Sequence, residues 1–205
     1  MPEVIFVNTD SKVKKITVIF TGIGYNADRP LLYYSKKIAL EQGHEIIIID
    51  FGDIDKECLR DRQMREDAFD KAFKKAETVL ADTDFASYDE IFFISKSIGT
   101  VVASVYASRH GVPARQVYFT PLLQTFSLAE EGNGLVFFGD RDPWIETDAI
   151  RDLCISKKLR FRIIEGSNHS LETGRVYNDV INITGIIHEA EDYIVGGQVS
   201  AREPL

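Results

Sequence analysis

The fold is decided by residues 91–99, which read I-F-F-I-S-K-S-I-G. The first four residues form an apolar run that predicts a strand buried on both faces, and a helical pattern begins near Ile98. Between them lies a sharp turn with Ser97 at its tip, which is the setting of the G-x-S-x-G nucleophile elbow. Such a turn needs small flanking residues. Gly99 meets this need, and Ser95 stands in the place of the first glycine.

Strand-like and helix-like patterns alternate along the chain. Apolar, strand-like runs occupy residues 4–7, 16–20, 46–49, 91–94, 117–119, 135–138 and 161–164. Helical patterns occupy residues 30–42, 62–81, 98–110, 144–157 and 175–195. This alternation predicts one α/β domain over residues 1–205, a three-layer sandwich around a mostly parallel sheet of about seven strands.

The two ends of the chain depart from this alternation. Only a short polar turn separates the runs at 4–7 and 16–20, so no crossover helix fits between them and we expect a leading antiparallel hairpin. Residues 196–205 follow the last helical pattern, and we expect this tail to fray.

The composition is that of an ordinary globular protein. The chain has 205 residues, of which 44% are hydrophobic and 27% charged, enough for one core. Its net charge of −8, without a concentrated basic stretch, argues against nucleic-acid binding. No apolar run approaches the ~20 residues of a membrane span, and residues 1–10 lack signal-peptide features, so we expect a cytoplasmic protein. The two cysteines, Cys58 and Cys154, show no metal-binding spacing, and no metal is expected.

A serine hydroxyl is a weak nucleophile that needs a base, and the base needs an orienting acid. The strand-like run at 135–138 leads into G-D-R-D-P-W, where Asp142 is the predicted acid and Asp140 the alternative. Asp142 could instead cap the helix that follows Pro143. His169 lies on the loop after the last strand-like run and is the predicted base, whereas the other three histidines lie beside or within predicted helices and strands.

The stretch T-G-I-G-Y at residues 21–25 follows the second strand-like run. Acyl transfer requires two backbone N–H groups aimed at the developing oxyanion. We expect one from Ile98, the residue after the nucleophile, and the other from Ile23 or Gly24. These groups would form the oxyanion hole.

The same loop also matches the dinucleotide-binding pattern G-x-G-x-x-A, from Gly22 and Gly24 onward, with Asp50 in the place of the ribose-binding acid. That fingerprint requires a helix that begins inside the glycine run, so that its N-terminus meets the pyrophosphate. Here Asp28 is the predicted N-cap and Pro30 the first-turn proline. The helix therefore begins too late, which disfavours this alternative.

With these motifs assembled, the chain resembles the α/β-hydrolase family, and most of all its small single-domain members of unknown substrate. The likeness rests on T-G-I-G-Y-N-A-D-R-P, I-S-K-S-I-G-T, F-G-D-R-D-P-W and N-H-S-L-E-T-G. It implies a serine hydrolase with a catalytic triad of Ser97, Asp142 and His169 and with no metal or organic cofactor. Two residues depart from the family pattern, since Thr21 stands where many members have histidine and Ser95 replaces a glycine.

The segment between residues 121 and 134 is too short for more than one small helix, so we expect a minimal or absent lid and an open, shallow site. Four residues are expected to rim it and contact substrate: Tyr25, Lys96, Leu122 and Trp144. The expected activity is cleavage of a small carboxylic ester or thioester (EC 3.1 class) through an acyl-enzyme on Ser97. The alternative is a non-catalytic ligand-binding module on the same fold.

Overall fold

A computed structural model describes residues 3–5, 13–55, 57 and 62–196 of the chain. Seven strands and six α-helices follow one another in the described part. In chain order they are β1 (Glu3–Ile5), β2 (Lys15–Phe20), α1 (Pro30–Glu41), β3 (Glu45–Ile49), α2 (Arg62–Leu80), β4 (Glu90–Lys96), α3 (Ile98–His110), β5 (Arg115–Phe119), α4 (Thr125–Leu128), β6 (Leu135–Gly139), α5 (Thr147–Ser156), β7 (Arg160–Ile164) and α6 (Val176–Ile194).

The strands form one sheet in the order β1-β3-β2-β4-β5-β6-β7. Strands β2 to β7 are all parallel, and β1 is a three-residue antiparallel strand at the edge. Helices α1 and α6 cover one face, while α2, α3, α4 and α5 cover the other. The predicted three-layer α/β sandwich is therefore confirmed.

Both faces of the parallel strands are buried, which explains their continuous apolar runs. In β2, Ile19 packs into the core beneath α1 and α6, whereas Val18 and Phe20 pack beneath α2 and α3. In β4, every residue after Glu90 is buried. Strand β4 thus lies at the centre of the sheet and ends at the predicted elbow.

The predicted hairpin between the first two strands is wrong. β1 pairs antiparallel with β3, with Glu3 opposite Ile48 and Ile5 opposite Ile46. Both edges of β2 are already paired, to β3 on one side and β4 on the other, so β1 cannot pair with β2 and pairs with the outer edge of β3 instead. Of the predicted run at 4–7, residues 6 and 7 lie outside the described residues, as does the tail from residue 197.

Two helix N-termini differ in detail from the sequence-based expectation. Helix α1 begins at Pro30 as predicted, but its N-cap is Arg29 rather than Asp28. Helix α5 begins at Thr147, because the preceding residues form a turn in which the Trp144 N–H donates to Asp142 Oδ1 at 2.9 Å. Within the described ranges, no helix is both long and apolar enough to span a membrane.

The start of α3 touches the end of β2, and Gly99 permits this contact. A Cβ atom at Gly99 would lie 2.4 Å from the Thr21 carbonyl oxygen and 2.5 Å from that of Phe20. Both obstacles are backbone atoms at the end of a central strand, so neither can move aside without disturbing the sheet. The helix can approach the strand this closely only with glycine at this position.

Gly99→Ala should therefore destabilise the protein by about 1–3 kcal/mol through overpacking. The free energy of unfolding from urea titration measures this loss. Ser108→Ala, on the exposed side of the same helix, is the control and should change stability by no more than about 0.5 kcal/mol. Equal stability of Gly99→Ala and the parent protein would contradict the packing described for α3.

Candidate active site

Ser97 lies in the turn between β4 and α3 with φ of 56° and ψ of −123°. A non-glycine residue held in such a conformation stores about 1–3 kcal/mol of strain, which the surroundings must sustain. The Ser97 N–H donates to the Phe119 carbonyl oxygen at 3.0 Å and ties the turn to β5. Ser95, in the place of the usual glycine, is buried and donates its hydroxyl to the Val117 carbonyl oxygen at 3.2 Å. The departure at Ser95 is thus accommodated with its polar group satisfied.

The loop after β7 brings His169 to the serine. His169 Nε2 lies 2.8 Å from Ser97 Oγ, and His169 Nδ1 lies 2.6 Å from Asp142 Oδ2. With the ring proton on Nδ1, the imidazole donates to the carboxylate and accepts from the serine hydroxyl. His169 follows Asp142 by 27 residues and Ser97 by 72 residues in sequence. The three side chains thus form one continuous hydrogen-bonded chain from distant parts of the sequence.

Asp142 is buried, and its two carboxylate oxygens serve different partners. Oδ2 faces His169, and Oδ1 accepts the Trp144 N–H that shapes the turn after β6. The carboxylate does not cap α5, whose N-cap is Glu146. Asp140, the alternative acid, instead accepts the Gly166 N–H at 2.6 Å and braces the loop that carries His169.

Asn168 organises the histidine loop, a role that the sequence analysis did not assign. Its Oδ1 accepts the N–H groups of Ser170 at 2.8 Å and Glu172 at 3.2 Å. The neighbouring Ser167 packs closely on Gly139 at the end of β6. A Cβ atom at Gly139 would lie 2.2 Å from the Ser167 carbonyl oxygen. The sequence signal for this loop is an asparagine two residues before a serine, which is typical of an Asx turn.

The environment keeps the His169 ring neutral. Burial lowers the pKa of His169 below its ordinary 6.5, and the nearby charge of Lys96 lowers it further. The Asp142 carboxylate opposes both effects through its hydrogen bond and its charge, because it favours the imidazolium. A neutral imidazole at physiological pH is the form that can accept a proton.

The loop after β2 folds into a tight turn against the elbow. Gly22 and Tyr25 exchange two backbone hydrogen bonds of 3.0 and 3.2 Å, and Ile23 and Gly24 form the tip. A Cβ at Gly22 would lie 3.4 Å from the Ser97 Cβ, so this loop borders the serine. Within the described residues, no hydrogen bond uses the N–H of Ile23, Gly24 or Ile98. These are the three N–H groups from which we expect the two donors of the oxyanion hole.

The four residues expected at the rim occupy different environments. Trp144 is 47% exposed and its ring meets that of His169 edge-on, with centroids 6.3 Å apart. Leu122 is half-buried. Tyr25 is buried, with its hydroxyl oxygen accepting the Leu31 N–H at 3.2 Å. Trp144 and Leu122 are therefore the members of this set that a ligand can reach most readily.

Lys96 does not lie at the rim, contrary to expectation. Lys96 is only 1% exposed. Its ammonium donates to Thr120 Oγ1 at 2.5 Å and to the His169 carbonyl oxygen at 2.7 Å.

The structure does not favour the dinucleotide interpretation. Helix α1 begins at Pro30, well after the glycine turn, so its N-terminus is not part of that turn. The Asp50 carboxylate is engaged by the Gly52 N–H at 2.9 Å and the Thr21 hydroxyl at 3.3 Å. Over the described ranges, no three His, Cys, Asp or Glu side chains are grouped as a metal site would require.

Solved structures share this architecture over nearly the whole chain. An alpha-beta serine hydrolase homologue from Coxiella burnetii aligns with a TM-score of 0.62 at 16% identity, over 97% of this chain and 92% of that one. Est1E from Butyrivibrio proteoclasticus, solved with ferulic acid bound, aligns with a TM-score of 0.69 at 10% identity, over 95% and 94%. A serine hydrolase without a lid from Xanthomonas campestris aligns with a TM-score of 0.58 at 12% identity, over 96% and 89%. The chain has the α/β-hydrolase fold.

The α/β-hydrolase fold confirms the resemblance that the four motifs predicted. No protein-family model matches the sequence, and no curated protein matches it significantly. In the α/β-hydrolase fold of this chain, Ser97, Asp142 and His169 follow β4, β6 and β7, and all three lie at the carboxyl edge of the sheet.

NMR titration of the His169 ring tests these electrostatics. The wild-type pKa should lie below 6.5, and Asp142→Asn should lower it further, because the carboxylate that favours the imidazolium is lost. Asp140→Asn is the matched control and should leave the pKa near that of the wild type, since Asp140 bonds to Gly166 instead. Equal shifts in both variants would contradict the pairing of His169 with Asp142.

Proposed function

We propose that the protein is a serine hydrolase that cleaves a small carboxylic ester or thioester through an acyl-enzyme on Ser97. The observation that carries the proposal is the hydrogen-bonded chain from Ser97 Oγ through the His169 ring to the Asp142 carboxylate, with distances of 2.8 and 2.6 Å. These distances are within the range needed for proton transfer and for orienting the imidazole.

In the first half of the reaction, His169 Nε2 takes the hydroxyl proton as Ser97 Oγ bonds to the acyl carbon. The carbonyl oxygen then carries the negative charge, which the N–H of Ile98 and that of Ile23 or Gly24 stabilise. Each such donor contributes about 3 kcal/mol in the transition state. The protonated His169 then passes its proton to the leaving alcohol or thiol, and the acyl group remains on Ser97.

In the second half, water replaces the leaving group. His169 accepts a proton from the water as its oxygen bonds to the acyl carbon, and the Ser97–acyl bond breaks with return of the proton to Ser97 Oγ. Asp142 remains ionised throughout, because it stabilises the imidazolium without taking its proton.

The preference for a small acyl substrate follows from the open site. Between β5 and β6 the chain forms only α4, which has four residues, so no lid stands over Ser97 from this connection. Trp144 is 47% exposed and its ring lies edge-on to that of His169, so it offers an apolar surface beside the base. Leu122, the other accessible residue of the expected rim, is half-buried. The proposal is supported by Est1E, a structural neighbour that was solved with ferulic acid, a small carboxylic acid, bound.

The proposal includes a cytoplasmic location and a small-molecule partner. The net charge of −8 gives a poor surface for nucleic acid, and Cys154 is a free, buried thiol that suits a reducing compartment. The alternative of a non-catalytic binding module predicts no turnover of any ester, so the same assay separates the two functions.

Hydrolysis of p-nitrophenyl acetate tests the proposal. The wild-type protein should turn over the ester, and Ser97→Ala should lower kcat by at least about 1,000-fold, because the nucleophile is lost. Ser108→Ala, which removes an exposed hydroxyl on α3, is the matched control and should keep full activity. Turnover that survives in Ser97→Ala would contradict the proposed nucleophile, and no turnover of acetyl esters or thioesters by the wild type would contradict the function.

A further inference from the structure

Lys96 lies between Ser95 and the nucleophile, at the end of the central strand β4, yet its side chain faces the interior. Burial of an ammonium group is costly unless hydrogen bonds and nearby charges compensate for the lost water. An uncharged residue would fit the interior at lower cost. The contacts of its ammonium therefore determine what Lys96 contributes at this position.

The Lys96 ammonium joins loops that follow three other strands. It donates to Thr120 Oγ1, just after β5, at 2.5 Å and to the His169 carbonyl oxygen, after β7, at 2.7 Å. It also lies 5.0 Å from the ring centroid of Tyr25, in the loop after β2, as a cation–π contact. One buried cation thus holds together the loops that carry the base and the oxyanion donors.

The hydrogen bond to His169 fixes the main chain of the residue whose ring acts as the base. Asp142 holds Nδ1 at one end of the ring, and Lys96 holds the backbone from which the ring extends. With both points fixed, the ring can move little, and His169 Nε2 stays at its position 2.8 Å from Ser97 Oγ.

Thr120 is adapted to this arrangement. Its φ of 46° is unusual for a β-branched residue, and its N–H donates to the Phe137 carbonyl oxygen at 2.7 Å. This conformation directs Oγ1 to Lys96, where it meets the ammonium. Strain at a buried position that makes such a contact is typical of functional sites.

We propose that Lys96 is a positioning residue, whose buried ammonium holds the His169 loop against the elbow so that the imidazole meets the Ser97 hydroxyl. The inference rests on the proposed hydrolase function for its effect on rate, whereas its effect on His169 can be measured without substrate. The ammonium is buried and its hydrogen bonds go to Thr120 and to the His169 main chain, so we expect it to act through His169.

The charges around Lys96 support a second effect, on protonation. Burial lowers the pKa of Lys96 to about 7, although the negative charges of Asp142 and Glu172 act to raise it. The Lys96 charge in turn lowers the pKa of His169, which helps to keep the imidazole neutral. Arg29 also lies near this cluster, 5.9 Å from the Tyr25 ring on the same loop.

The test uses Lys96→Met, which keeps the length of the side chain and removes the charge and the donors. We expect kcat for p-nitrophenyl acetate to fall by about 100-fold, because a base displaced by about 1 Å loses that much, while KM stays near its wild-type value. The pKa of the His169 ring should rise, because a nearby positive charge is gone, so the acid limb of the kcat/KM profile should move to higher pH. Lys74→Met, on the exposed surface of α2, is the matched control and should change neither quantity.

Thr120→Val is a second variant that separates position from charge. It removes one acceptor of the ammonium but keeps the charge and the bond to His169, so kcat should fall less than in Lys96→Met and the pKa of His169 should not rise. Lys96→Arg, which restores a cation and donors, should recover part of the kcat and lower the His169 pKa again. Circular dichroism melting establishes that each variant is folded before it is compared.

A folded Lys96→Met protein with wild-type kcat and wild-type His169 pKa would overturn the inference. A fall in kcat/KM that came entirely from a raised KM would also overturn it, because that result would make Lys96 a substrate contact. A wild-type protein without esterase activity would instead count against the proposed function. In that event the NMR titration of His169 in Lys96→Met still decides whether the ammonium acts on the imidazole.

Discussion

The backbone of Ser97 changes direction between a buried central strand and a helix within one residue, and the surrounding structure is built to hold that turn. Its φ of 56° is sustained by a hydrogen bond to β5, by the small Ser95 on one side and by Gly99 on the other. The helix start can therefore sit directly on the end of β2, which brings the Gly22 loop beside the serine. The same close packing places Ser97 beside the N–H groups that we expect to form the oxyanion hole.

Around this turn, polar groups that would be costly to bury singly are connected to one another. The Lys96 ammonium, the His169 ring and the Asp142 carboxylate form a compact cluster of ionisable groups, with Thr120 completing the bonds of the ammonium. Such a cluster is stable only when every member has its hydrogen-bond and charge partners. We therefore expect the loss of one member to destabilise the positions of the others. The parallel sheet makes this possible, since β4, β5, β6 and β7 all end at the same edge.

Features that depend on a local pattern could be predicted from the sequence. The strand–serine–helix order located the turn at Ser97. The places of Asp142 after β6 and His169 after β7 predicted that these side chains lie near it, because residues after parallel strands meet at one edge. Features that depend on competition between distant segments could not. β1 follows a short turn but pairs with β3, since β2 has no free edge. Lys96 was expected at the surface, whereas the acceptors provided by Thr120 and His169 and the ring of Tyr25 allow its burial.

The most direct test of the account is labelling with a fluorophosphonate probe, which reacts covalently with an activated serine and needs no knowledge of the substrate. We expect one adduct per chain, located on Ser97 by mass spectrometry after digestion, and the loss of this adduct in His169→Ala. A folded wild-type protein that takes up no label, or that is labelled at another serine, would contradict the claim that Ser97 and His169 form an activated nucleophile.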